Sequence, residues 1–169
     1  DCASDKPQLY DLPVSNNGAR VRMCIYYKEL EEDVDIVSPM DLGGLQSPEY
    51  KAVNPQGKMP LLVDEDEGVT VYEADAICRH VLDKHADAGP SLVPSTLAGR
   101  TRAELICRLH DAYIGPIQGC LYKPSPPFGR FGTRRAALVE LREQLAVAES
   151  LAAAGPYLAG ETFSLADAT

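Results

Sequence analysis

The amino-acid sequence changes its pattern once, near residue 90, and this change constrains the fold more than any other feature. Up to residue 86, short β-rich runs alternate with helical patterns, whereas only helical patterns occur beyond residue 96. The segment 87–96 between them holds two prolines and a glycine, a composition typical of a linker. We therefore expect two domains, 1–86 and 97–169, joined by a linker at 87–96.

The first domain is predicted to be an α+β unit. Its elements follow in the order strand, helix, strand, two hairpin strands and helix, over residues 8–12, 19–30, 34–37, 59–63, 69–72 and 74–85. A strand-helix-strand order is typical of a parallel strand pair, and the hairpin adds antiparallel strands. We interpret the acidic run 64–67 between the hairpin strands as a solvated turn rather than a metal site.

The second domain is predicted to be all-α. Helical spacing extends over 98–121, with a kink at Gly115-Pro116, and again over 133–154. Ser164, followed three residues later by Asp167, is typical of a capping box at the start of another helix. Because the chain ends at Thr169, one turn into that helix, we expect it to lack carboxyl-terminal helices. Asp1 in place of methionine indicates a processed or incompletely recorded amino terminus.

Charge and cysteine content narrow the function. Residues 1–86 carry 17 acidic and 8 basic side chains, whereas 87–169 carry 8 of each, so the acidic first half disfavours nucleic acid as a partner. No apolar run approaches the ~20 residues of a membrane span. Five cysteines without paired spacing and only three histidines argue against a disulfide framework and against a metal site. We expect a protein of the cytoplasm or of an organelle, not a secreted one.

Three motifs, in the correct order, resemble the glutathione transferase family. They are Asn-Pro-Gln-Gly-Lys-Met-Pro-Leu-Leu at 54–62, Glu-Ala-Asp-Ala-Ile at 73–77, and Tyr-Leu-Ala-Gly at 157–160 followed by Phe-Ser-Leu-Ala-Asp at 163–167. The resemblance covers nearly the whole chain. It implies a thioredoxin-like α+β domain followed by an incomplete all-α domain, with glutathione bound mainly by the first domain.

Ser15 is the candidate catalytic residue. It follows the first strand, five residues before Arg20, and this placement resembles the serine-type transferases of plants and microbes. There the serine hydroxyl hydrogen-bonds the sulfur of glutathione and favours the thiolate, which is the nucleophilic form. The alternative is that Ser15 only caps the following helix, a common role for serine. Asn16 and Asn17 are weaker rivals as donors to the sulfur.

The resemblance implies further glutathione-binding residues. A cis bond between Met59 and Pro60 would expose the Met59 backbone to the cysteinyl part, and Lys58 would reach the glycyl carboxylate. Glu73 would accept from the γ-glutamyl ammonium, while the helix start at Ala74 would donate to the α-carboxylate. Ala74 stands where the family usually has serine, so one hydroxyl donor is lost. Each position also has a purely structural interpretation: a strand boundary, a surface lysine or a helix-start acid.

Two functions follow from this resemblance. The first is an enzyme that transfers glutathione to a small hydrophobic electrophile or reduces a peroxide, with glutathione as co-substrate and no metal. The second is a non-catalytic glutathione-transferase-like subunit that binds a partner within a larger assembly. A homodimer is expected because the family commonly dimerises.

Three aromatic residues are candidates for the electrophile pocket, although core packing is the favoured interpretation of each: Tyr113, Tyr122 and Phe128.

Overall fold

The computed structural model describes residues 6–169 of the chain, and its contacts divide into two units. The division falls between Ser91 and Leu92, within the segment that the sequence predicts as a linker. In the first unit an α+β arrangement surrounds a four-stranded sheet, and the second is helical.

The sheet of the first unit has the strand order β2-β1-β3-β4. Its strands are β1 (Gln8–Tyr10), β2 (Asp35–Val37), β3 (Leu61–Asp64) and β4 (Val69–Tyr72). β1 and β2 are parallel, as a crossover through a helix requires, whereas β1–β3 and β3–β4 are antiparallel. The predicted strand-helix-strand and hairpin are therefore confirmed, although the helix lies at Asn16–Tyr27 instead of 19–30 and the first hairpin strand begins at Leu61 instead of residue 59.

Three helices accompany this sheet, α1 (Asn16–Tyr27), the short α2 (Pro48–Val53) and α3 (Ala74–Lys84). α1 and α3 pack against each other through apolar side chains spaced three or four residues apart, the period of one helix face. Their fully buried members are Val21, Cys24 and Ile25 on α1 and Ile77, Cys78 and Val81 on α3. This packing fixes where the amino-terminal ends of the two helices lie.

The second unit contains α4 (Leu97–Leu109), α5 (Arg134–Leu151) and the short α6 (Leu165–Ala168). The prediction of one helix over 98–121 is wrong. α4 ends at Leu109 and widens into a π-type turn, in which the Gly115 amide donates to the His110 carbonyl at 2.7 Å. Pro116 has no amide donor, so the helical ladder cannot continue through it.

The interior of the second unit consists of two apolar clusters. The first joins the α5 residues Ala137 and Leu141 to Phe128, whose side chain is 1% exposed. The second lies where α4 meets α6 and includes Ile106 and Ala166. Across the part of the chain that the structure describes, no helix is long and apolar enough to cross a membrane.

The interpretation of 64–67 as a wholly solvated turn is wrong for its first residue. The Asp64 side chain is fully buried at the end of β3 and accepts hydrogen bonds from Lys84 Nζ at 2.8 and 2.9 Å. His80 Nε2 lies 2.8 Å from the same carboxylate. His80 is thus a half-buried partner of Asp64. It reaches the same carboxylate as Lys84 because the two residues lie four positions apart, one turn along α3.

The capping box at the start of α6 is present. Asp167 accepts from the backbone and hydroxyl of Ser164, both at 2.9 Å, and from the Leu158 amide at 2.7 Å.

We expect Asp167→Ala to lower the free energy of unfolding by about 2 kcal/mol, because it leaves buried donors without an acceptor. Urea denaturation followed by circular dichroism measures this loss. Glu143→Ala, on the exposed surface of α5, is the control expected to stay within about 0.5 kcal/mol; an equal loss in both variants contradicts the prediction.

Candidate functional site

The strand register of the first unit brings three predicted site segments to one end of the sheet. Tyr10, the last residue of β1, pairs with Leu61, the first of β3, and Leu61 pairs with Tyr72, the last of β4. Ser15 follows β1, Pro60 precedes β3 and Glu73 follows β4. All three therefore leave the sheet at the same edge, although they are far apart in the sequence.

Ser15 is the amino-terminal cap of α1, and its Oγ accepts a hydrogen bond from the Gly18 amide at 2.9 Å. The two interpretations of this residue do not compete. Capping uses a lone pair of the hydroxyl oxygen, which leaves the hydroxyl proton to be donated elsewhere. The half-buried Ser15 can thus both stabilise α1 and present an O–H donor beside the positive end of its helix.

The loop before β3 is held by its backbone. The Met59–Pro60 bond is cis, as the resemblance implies, and Pro60 is buried. The Lys58 carbonyl accepts from Tyr50 Oη at 2.7 Å and from Asn54 Nδ2 at 2.8 Å. Burial raises the pKa of Tyr50, which keeps this hydroxyl protonated as a donor. The Lys58 side chain is exposed and free to meet a carboxylate in solution.

Glu73 adopts a backbone conformation that is rare for a residue with a side chain, with φ 75° and ψ 118°. Such strain costs about 1–3 kcal/mol and is concentrated at functional sites. The Glu73 side chain does not cap α3, so the first amides of the helix, beginning at Ala74, remain unbound by it. Ala74 itself is nearly buried, at 7% exposure, and offers only its backbone donor.

Sequence reasoning missed residues that connect these segments. Gln56 donates from Nε2 to Glu73 Oε1 at 3.0 Å and thereby links the loop before β3 to the start of α3. Arg22 contacts the buried Asp11, which lies in the segment between β1 and Ser15. Gln56 lies inside the motif at 54–62, which was a usable signal, whereas no local pattern distinguishes Arg22 from an exposed helical arginine.

The three candidate aromatic residues belong to the second unit and differ in their burial. Tyr113 and Tyr122 are 56% and 61% exposed, whereas Phe128 is buried in the cluster with α5. Core packing, the favoured interpretation for all three, is therefore right for Phe128 and wrong for the two tyrosines. Among residues 6–169, no group of three or more histidine, cysteine or acidic side chains is arranged to hold a metal ion.

Comparison with known proteins identifies the family. A family model described as the glutathione S-transferase N-terminal domain matches residues 9–91. Glutathione S-transferase 3 of Zea mays is 37% identical over 171 aligned residues, which cover 95% of this chain and 73% of the maize protein. The chain belongs to the glutathione S-transferase family. Glutathione S-transferase F10 of Arabidopsis thaliana is 33% identical over 131 residues, and the chain covers 60% of its length.

Solved glutathione transferases share the fold. Glutathione transferase F2 of Populus trichocarpa superposes with a TM-score of 0.77 at 25% identity, covering 96% of this chain and 77% of the poplar chain. The apo form of a glutathione S-transferase III gives 0.73 at 30% identity, with coverage of 96% and 76%. The resemblance inferred from the motifs and the thioredoxin-like fold of the first domain are therefore confirmed.

Proposed function

We propose that this glutathione S-transferase binds glutathione at the sheet edge formed by Ser15, Met59-Pro60 and Glu73, and transfers it to a small electrophile. The observation that carries the proposal is the convergence of these segments through the register Tyr10–Leu61–Tyr72. A tripeptide with charged ends needs complementary groups spaced along one groove. The three segments supply such groups within one unit of the protein.

The γ-glutamyl end has both charges matched near α3. The Glu73 carboxylate, held by Gln56, accepts from the ammonium, and the first amides of α3, which the Glu73 side chain does not cap, donate to the α-carboxylate. Helix amino termini favour anions because their amide dipoles point outward. The exposed Lys58 ammonium meets the glycyl carboxylate at the other end, and the Met59 backbone pairs with the central peptide.

Ser15 acts on the sulfur. A free thiol titrates near ~8.5, so only a small fraction is thiolate at neutral pH. The Ser15 hydroxyl, whose oxygen is fixed by the Gly18 amide, donates a hydrogen bond to the sulfur and stabilises the thiolate, while the thiol proton passes to solvent. The thiolate then forms a C–S bond with the electrophilic carbon, and the leaving group departs with the electron pair. With a peroxide, the thiolate attacks one oxygen, the O–O bond breaks and the other oxygen leaves as the alcohol. A second glutathione thiol then attacks the resulting sulfenic sulfur, which gives glutathione disulfide and water.

The test combines binding and turnover. Glutathione binding is measured by titration calorimetry, and conjugation by the glutathione-dependent loss of a generic aryl halide such as 1-chloro-2,4-dinitrobenzene. Saturable binding with turnover supports the enzyme. Binding without turnover of aryl halide or peroxide overturns the catalytic part and favours the non-catalytic subunit. Absence of both overturns the proposal as a whole, and sedimentation of the same sample tests the expected homodimer.

Glu73→Gln tests the γ-glutamyl pole. We expect the Kd for glutathione to rise by about tenfold or more, because a charge-assisted hydrogen bond to the ammonium is lost. The kcat at saturating glutathione is expected to change little, since the reacting sulfur is distant from this pole. Titration calorimetry measures the Kd, with Glu49→Gln on the exposed face of α2 as the control. An unchanged Kd for Glu73→Gln rules out the assigned contact.

A further inference from the structure

The Arg22 side chain reaches back from the second turn of α1 to the segment that leads into Ser15. Its guanidinium contacts the Asp11 carboxylate through Nη1. The same nitrogen lies 3.2 Å from the Leu12 carbonyl, and Nη2 lies 3.3 Å from the Pro13 carbonyl. One side chain, only 16% exposed, therefore holds three consecutive residues of the β1–α1 connection.

Asp11 is the partner of Arg22 in this arrangement. Its side chain is fully buried, and within residues 6–169 its Oδ1 has no hydrogen-bond partner. The carboxylate packs directly on Gly18, where an added methyl group would clash with both of its oxygens. A carboxylate buried in this way is costly unless a cation compensates it, and Arg22 is that cation.

The pair contacts the two backbone segments that orient the Ser15 side chain. The Ser15 amide donates to the Leu12 carbonyl at 2.9 Å, and this carbonyl is shared with Arg22. The Ser15 Oγ accepts from Gly18, whose backbone rests on Asp11. The direction of the Ser15 hydroxyl thus depends on both contacts, although neither side chain bonds to the hydroxyl itself.

We propose that Arg22 and Asp11 are positioning residues that fix the Ser15 hydroxyl for its action on the thiol. This inference rests on the proposed function of Ser15. The pair is also electrically neutral, so the Asp11 carboxylate does not oppose formation of a thiolate at the amino terminus of α1. Removal of Arg22 disfavours the thiolate in two ways. The turn that orients the Ser15 hydroxyl loosens, and an uncompensated negative charge remains beside the thiol.

Other charged groups near α1 stay unchanged in such variants. Arg20 lies buried on α1, and both it and Asp75 of α3 act electrostatically on the buried Cys78 between the two helices. Asp75 is itself paired with Arg79 at 2.8 Å. A change in the titration of bound glutathione on replacement of Arg22 therefore reports on Arg22 and Asp11 rather than on these groups.

The test compares Arg22→Ala and Arg22→Lys with Arg135→Ala, an exposed arginine on α5. For Arg22→Ala we expect the Gly18 amide to exchange hydrogen about tenfold faster or more, because the charge-assisted contacts to the turn are lost. We also expect kcat/KM at neutral pH to fall about tenfold and its apparent pKa to rise by about one unit. The Kd for glutathione should stay within about threefold, because the binding poles are elsewhere. Arg22→Lys keeps the charge but not the fork and should lie between Arg22→Ala and the wild type.

The outcomes separate the two claims. A wild type with turnover, together with a folded Arg22→Ala that keeps the wild-type Gly18 exchange and pH profile, overturns the positioning role alone. If Arg22→Ala does not fold, wild-type exchange and pH profile in Arg22→Lys overturn it in the same way. A wild type without turnover overturns the proposed function first, and the positioning role with it. Faster exchange of the Gly18 amide in Arg22→Ala, together with the shifted pH profile, supports the proposal.

Discussion

Replacement of Ser15 by alanine is expected to lower the kcat of glutathione conjugation by about 10²–10³-fold, the usual effect of removing one aligned donor to a developing anion. The apparent pKa of kcat/KM should rise toward that of a free thiol, because the hydroxyl donor that favours the thiolate is gone. Steady-state kinetics across pH 6–9 measure both effects. Glutathione binding should persist, since Glu73, Lys58 and Met59 are intact.

Ser15→Asp separates catalysis from capping. Aspartate caps a helix as well as serine does, so this variant should keep the stability that Ser15→Ala loses, about 1 kcal/mol. A carboxylate cannot donate to a thiolate and repels it, so turnover should be lost in both variants. Asn16→Ala, next in the sequence and exposed, tests the rival donor and should keep turnover. Wild-type turnover in Ser15→Ala would transfer the donor role to Asn16 or to a water molecule.

Asp64→Asn is expected to produce the largest loss of stability, about 3 kcal/mol. Asp64 is the buried acceptor for Lys84 and His80, which tie the end of β3 to the last turns of α3. An amide keeps the shape but removes the charge that compensates the Lys84 ammonium. The loss falls at the lower end of the range for buried ion pairs because Lys84 also lies 3.6 Å from Asp66. Urea denaturation at pH 7 measures it.

The pH dependence of this loss has a definite sign. Burial raises the pKa of Asp64, but the hydrogen bonds from Lys84 and His80 outweigh burial and leave its pKa below the ordinary carboxyl value. The stability it contributes is thus fully present above the ordinary value of about 3.9 and is lost as the pH falls through the lower folded pKa. The difference between wild type and Asp64→Asn should therefore narrow at acid pH.

Lys84 acts in the opposite pH range. Burial lowers its pKa, but Asp64 raises it more, so the stability from Lys84 is present at neutral pH and is lost only as the pH rises through the raised pKa.

Asp66→Asn is the matched control for Asp64→Asn, because Asp66 is 70% exposed on the same turn. It should change the free energy of unfolding by less than about 1 kcal/mol. Equal losses in Asp64→Asn and Asp66→Asn contradict the importance of burial at this site.

Most of the fold was predictable because its signals are local. The hairpin, the helix after it and the capping box at Ser164 each arise from residues within a few positions of one another. The prediction of one helix over 98–121 was wrong because the backbone changes from α-helical to π-helical hydrogen bonding at His110. A π-type turn keeps helical composition, so the apolar spacing does not reveal it, and only the Gly115–Pro116 pair indicated a break.

The candidate site, like the fold, was predictable where its signals are local. The family to which the chain belongs follows from its motifs, and the same motifs and placement predict Ser15, Lys58, Met59, Pro60, Glu73 and Ala74 as site residues. It also determined the order of strands and helices, because period and turn chemistry are properties of neighbouring residues.

Only the tertiary structure decided which charged residues are buried. Asp64 meets Lys84 across 20 positions and Asp11 meets Arg22 across 11, and in the sequence these four resemble ordinary surface charges. The positive φ of Glu73 was equally unpredictable, because nothing in the sequence around a glutamate indicates that backbone conformation. The physical reason is that burial and pairing depend on how α1 and α3 pack against the sheet, which brings Arg22 to Asp11 and Lys84 to Asp64 only in the folded protein.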